Sequence, residues 1–263
     1  LLGGRRIIKK VTYCQKRQTV LVSELCQADS FVPKAQIKVG LSIDPNEGSI
    51  NTITSGFASL GYPATVYTDQ EIINGKPTQD GVTALVISRK VVLSPLVDGY
   101  ADAIRNYIAA GGSLIGEYDG AALLMDQHQG SNALMANMNP SIDLFTGLVD
   151  GGGLLIPISN AKVYNTNPLH PLMEGMPAEF SNIPRTAFAL MNYDSTWLES
   201  PASFIASGSG DVPAGTYPAV LGGRCGKGRV TFLPMNHFQA MTQTPVNRLI
   251  TNSLRWVTGF SSQ

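Results

Sequence analysis

From residue 36 onward, continuous apolar runs alternate with amphipathic helical segments, and this constrains the fold more than any other feature. "IKVGLSI" is mostly apolar and "VTALVIS" is a continuous apolar run, rather than apolar at every second position, and "SLIGE" reads as a further strand. A strand of that kind must be covered on both faces, which is the situation of a parallel sheet between two helix layers. The intervening segments have the spacing to supply the cover. "GSINTITSGFASLG" reads as a helix closed by Gly61. Leu96, Tyr100, Ile104, Tyr107 and Ile108 fall three or four residues apart behind a Ser94 cap and Pro95, and the stripe stops at Gly111-Gly112. The first half therefore reads as a doubly wound α/β unit. A last helix is expected behind Thr244 and Pro245, turning Val246, Leu249, Ile250, Leu254 and Val257 inward.

Residues 1–35 have a different character. "RRIIKKVTY" and "RQTVLVSEL" are short β-prone runs, as expected for a hairpin or arm preceding an α/β domain at 36–263. Through Lys38 the chain carries eight Lys or Arg against Glu24 and Asp29, a net +6, and the remainder carries −6. Two readings follow: a solvated basic face, or an arm that docks on its own body or on a neighbouring copy, or touches an acidic polymer. Cys14 and Cys26 lie in this arm. Facing each other across a hairpin they would bridge in an oxidising compartment; otherwise they are unpaired buried thiols. Only 14% of residues are charged, the polarity coming instead from Ser, Thr, Asn and Gln, and together with the cysteines this leads us to expect an extracellular or periplasmic protein. The chain starts at Leu1, so we read it as a processed or trimmed product, or a piece of a larger protein. Its length suffices for a core without metal or cofactor, no C-x-x-C spacing supports zinc, and no run of about 18 apolar residues would span a membrane. A zero net charge with thin aromatic support in the arm gives no reason to expect nucleic-acid binding.

"GGSLIGEYDGAALL" has the outline of a nucleophile elbow, a strand running into Gly116, two polar residues, Asp119 and Gly120, then a helical segment, with Tyr118 at its centre. "HPLMEGMP", "YPAVLGGRCGKGRVTFLPMNHF" and "PVNRLITNSLRWVTG" resemble, in that order, the end of class I glutamine-amidotransferase-like domains, and more particularly their ThuA-like (trehalose-utilisation-type) branch. The likeness covers roughly residues 36 to 260 and leaves the arm outside. It implies a flavodoxin-like, mostly parallel sheet, with the loop after "SLIGE" as the elbow and His237 above the same carboxyl edge. It also implies that the family's Cys, His and Glu positions are held here by Tyr118, His237 and Gln239.

Two of those three roles are altered. A tyrosine phenol titrates near 10, so it is far less ionised at neutral pH than a thiol and is bulkier in a turn built for a small nucleophile. Gln239 can orient an imidazole but cannot stabilise an imidazolium. Glutamine hydrolysis through cysteine is therefore not expected, and Cys225 is no substitute, because it lies a strand length from His237. Glu117 and Asp119, together with Asp44 and Glu47 in "IDPNEGS", would border the same crevice, where open α/β sheets bind ligands. Two functions remain open. One is a non-hydrolytic binding or assembly module that self-associates through the arm. The other is an enzyme on a carbohydrate or other small polar substrate, with His237 and the nearby carboxylates as acid and base. His170 matches a family position that serves the fold, and "GGRCGKGR" precedes a strand rather than a helix, so it does not cradle phosphate.

Overall fold

A computed structural model describes residues 36–43, 50–88, 99–117, 153–157, 162–181, 186–190, 198–206, 214–225, 228–233 and 238–259. The arm at 1–35, with Cys14 and Cys26, lies outside the described residues. The first strands fall where the apolar runs put them: β1 (Val39–Ile43), β2 (Ala64–Val66), β3 (Ala84–Ser88) and β4 (Ser113–Glu117). Every residue of β1, β3 and β4 is buried. The helices α1 (Ile50–Ser59) and α4 (Tyr100–Ala109) follow β1 and β3. Gly99 adopts a left-handed backbone (φ 89°) at the start of α4, and the expected Ser94 cap and Pro95 lie outside the described residues. Two short helices, α2 (Asp69–Ile73) and α3 (Lys76–Gln79), fill the connection from β2 to β3.

The second half departs from expectation. After β5 (Gly153–Pro157), β6 (Val163–Asn165), β7 (Glu179–Phe180) and β8 (Thr186–Leu190) come three longer strands, β9 (Leu198–Ala206), β10 (Gly215–Cys225) and β11 (Gly228–Leu233). The main sheet has the order β2-β1-β3-β4-β11-β10-β9-β6-β7, while β5 and β8 pair separately. Pairing is parallel from β2 to β11 and antiparallel from β11 to β7. The sheet is thus mixed, and the mostly parallel arrangement anticipated from the sequence holds only in one half. Connection length explains this. Only residues 226–227 separate β10 from β11, and only 207–214 separate β9 from β10. A parallel pair needs a crossover of a dozen residues or more, so these strands form hairpins.

The closing helix α5 (Val246–Val257) starts one residue later than Pro245. Val246, Leu249, Ile250, Leu254 and Val257 are buried as their spacing requires. They share a core with Ile53 and Phe57 of α1 and with Leu41, Val86, Ile115 and Leu233 of the sheet. The alternate strand residues Leu85, Ile87 and Leu114 are equally buried and, by the two-residue period of a strand, face the other side. On that side Tyr100 of α4 hydrogen-bonds Ser42 of β1 at 2.7 Å. Helices therefore pack against both faces where the sheet is parallel.

Candidate functional site

The strands β1, β3, β4 and β11 end together. Their register aligns Ile43, Ser88, Glu117 and Leu233 as one row across the carboxyl edge. Paired residues share a face, so the row turns towards α1 and α5. Glu117 occupies its centre and is 1% exposed. A carboxylate buried this far is costly unless donors surround it. Two are in place: the Ser88 hydroxyl donates to Oε2 at 2.7 Å, and the Phe238 backbone N–H donates to Oε1 at 3.1 Å. Phe238 opens a 3-10 turn, Phe238–Ala240. Its ring packs edge-on against Phe57 of α1, with centroids 5.4 Å apart. One residue is thereby held at both ends, its amide by the β4 carboxylate and its ring by the core.

The residues next to this pair in the chain are those singled out from the sequence. Tyr118 follows Glu117 and His237 precedes Phe238. Tyr118, Asp119, His237, Asp44 and Glu47 themselves lie outside the described residues, and Gln239 is described by its backbone in the 3-10 turn alone. Of the expected site residues the structure therefore describes the Glu117 side chain, and it turns inward to Ser88 and Phe238. Two participants were missed. Ser88 ends an apolar strand and carries no motif, and a backbone N–H leaves no trace in a sequence. Cys225 ends β10 opposite Gly228, at the start of β11, whereas position 237 follows the end of that strand. Among the described residues no group of three His, Cys, Asp or Glu side chains is arranged to hold a metal ion.

His170 is the one histidine among the described residues, and it lies elsewhere. It caps the 3-10 turn Pro171–Met173, its Nδ1 accepting the Leu172 N–H at 3.1 Å. Its Nε2 lies 3.5 Å from the Glu199 carboxylate, and the ring is 5.9 Å from that of Trp256. Burial lowers its pKa below the usual histidine range, opposed by the Glu199 charge. A histidine depressed in the folded state contributes stability that is complete above its unfolded value, about 6.5, and is lost as the pH falls through the folded value. Asparagine at this position retains a cap acceptor without the titration. The expected result is that His170→Asn flattens the decline in urea midpoint between pH 7 and pH 5 relative to the parent. Identical pH profiles for the two proteins would remove the assignment.

No protein-family model matches the chain, and no curated protein matches it in sequence. Solved structures are similar in fold. A ThuA-like protein from Parabacteroides merdae superposes with a TM-score of 0.61 at 13% identity, over 86% of this chain and 92% of the other. A cytoplasmic protein from Salmonella typhimurium superposes with a TM-score of 0.55 at 14% identity, over 84% of this chain and 99% of the other. A beta-galactosidase from Bacillus circulans sp. alkalophilus matches with a TM-score of 0.52 at 10% identity, over 85% of this chain but only 31% of the enzyme. At such identities the likeness concerns the fold alone.

Proposed function

We propose that this chain is a glutamine-amidotransferase-like domain of the ThuA-like type, with a flavodoxin-like doubly wound parallel half, that no longer hydrolyses glutamine and serves outside the cytoplasm as a binding or assembly module. The observation that carries this is the bond from the Phe238 N–H to Glu117. It joins the residue before Tyr118 to the residue after His237 at one edge of the sheet. A crevice there would present a phenol, an imidazole and the Gln239 amide. That set offers hydrogen bonds to a carbohydrate or another small polar ligand, but no thiolate for attack on an amide. Within this reading Glu117 acts as a positioning residue, and the ligand contacts come from Tyr118, Asp119, Asp44 and Glu47. The basic arm supplies the second part of the function, self-association by strand pairing and charge.

The test follows ammonia release from glutamine, ligand binding and molecular mass in one preparation. No ammonia is expected. His237→Ala should weaken binding of a polar ligand about tenfold without changing the mass, the usual scale for one lost hydrogen bond to a bound group. Removal of residues 1–30 should abolish oligomers and leave ligand binding intact. Ammonia release by the parent that is lost in Tyr118→Phe would overturn the reading, as would turnover of a sugar substrate that depends on His237.

A further inference from the structure

We infer that the β2 edge of the main sheet receives the basic arm of a second copy of this chain; this rests on the assembly reading above and names the surface involved. Among the described residues β2 ends the sheet order, with β1 on one side and no strand on the other. Tyr67 donates its N–H to the Leu41 carbonyl of β1 at 2.9 Å. Backbone groups alternate sides along a strand, so Thr65 and Tyr67 address β1, while Ala64 and Val66 turn N–H and C=O to the open edge. Val66 is 39% exposed, one of three exposed large apolar side chains among the described residues. An uncovered strand with an exposed β-branched residue is a template for another strand unless something covers it.

The sequence contains a candidate cover, and the surroundings suit it. "RRIIKKVTY" and "RQTVLVSEL" are β-prone runs of nine residues each, longer than the roughly 10 Å of β2. Thr19 to Val22 provides an apolar stretch to lie against Val66. Asp69 and Glu71 follow the carboxyl end of β2 in the first turn of α2, and the chain beyond Lys38 carries −6 against the +6 before it. A groove of about 540 Å³ runs under the start of β2, lined by Ile37, Lys38, Pro63, Thr65, Tyr67 and Asp80.

A second copy, rather than the chain's own arm, is the occupant that the assembly reading requires, and the test below separates the two. Arm to edge is a head-to-tail contact, so association continues into rings or filaments as concentration rises.

Complementation tests this. Val66→Pro removes an outward N–H while leaving the β1 pairing intact; Val66→Lys sets a cation against the basic arm and guards against misfolding of the proline variant. The full chain should be oligomeric at micromolar concentration by sedimentation, Val66→Pro and a chain lacking residues 1–30 should each be monomeric, and Val66→Lys should weaken association at least tenfold. Mixed, the proline variant and the shortened chain should form a one-to-one dimer, since one retains the arm and the other the edge. If shortening gives monomers while both Val66 variants remain oligomeric, the edge assignment fails and the assembly reading survives. Unchanged mass on shortening removes both. A monomeric parent whose arm becomes protease-sensitive in Val66→Pro places the arm on its own β2, which overturns the second-copy assignment.

Discussion

Replacing Glu117 with alanine is expected to lower the unfolding free energy by about 3 kcal/mol, because a buried donor left without its acceptor costs roughly 1–3 kcal/mol and here there are two. The Ser88 hydroxyl and the Phe238 amide both lose their partner, in a position sealed from water. Glutamine preserves the volume and one acceptor oxygen. It can keep the Phe238 bond and offer its amide to Ser88, whose hydroxyl accepts as well as donates, so Glu117→Gln should cost only about 1 kcal/mol. Urea denaturation measures both values. Native-state hydrogen exchange at Phe238 separates the local effect, with Ala exchanging much faster than the parent and Gln close to it. If Ala and Gln prove equally mild, Glu117 does not anchor the turn that follows His237, and the shared sheet edge loses its main support.

A comparable loss, about 3 kcal/mol at the upper end of ordinary overpacking, is expected for Gly228→Ala. A Cβ added at Gly228 would overlap the carbonyl oxygen of Gly112 and approach Ile108 Cγ2 to 3.3 Å. The obstacle is backbone, so β11 must move away from the end of α4. Gly215→Ala is the control: its added carbon would meet the Tyr217 ring at 3.6 Å, ordinary contact, and should change stability by about 0.5 kcal/mol or less. Equal denaturation midpoints for the two variants would contradict the packing described. The same contact gives a reason for the last glycine in "GKGRV" that involves no phosphate.

Several elements were legible because their signals are local. The apolar runs of β1, β3 and β4 and the three-and-four spacing of α4 and α5 declare themselves within a dozen residues. A capping box opens α2, where Thr68 and Glu71 exchange side-chain and backbone bonds, but the helix behind it has only five residues, too few to show a periodicity. At the start of α4 the left-handed Gly99 precedes Tyr100, a backbone state that glycine permits and that no periodicity signals.

The sequence by itself determined that the first half of the domain alternates strands and helices after residue 36, and which residues of its helices turn inward. These follow from periodicity and residue chemistry, which neighbours in the chain suffice to define. Only the tertiary structure decided that half of the sheet is antiparallel, that Ser88 and Phe238 hold Glu117, and that β2 is left at an edge. Those outcomes depend on which distant segments meet: 29 positions separate Ser88 from Glu117, and 121 separate Glu117 from Phe238. No local pattern encodes a contact whose partners are chosen by the packing of the whole sheet.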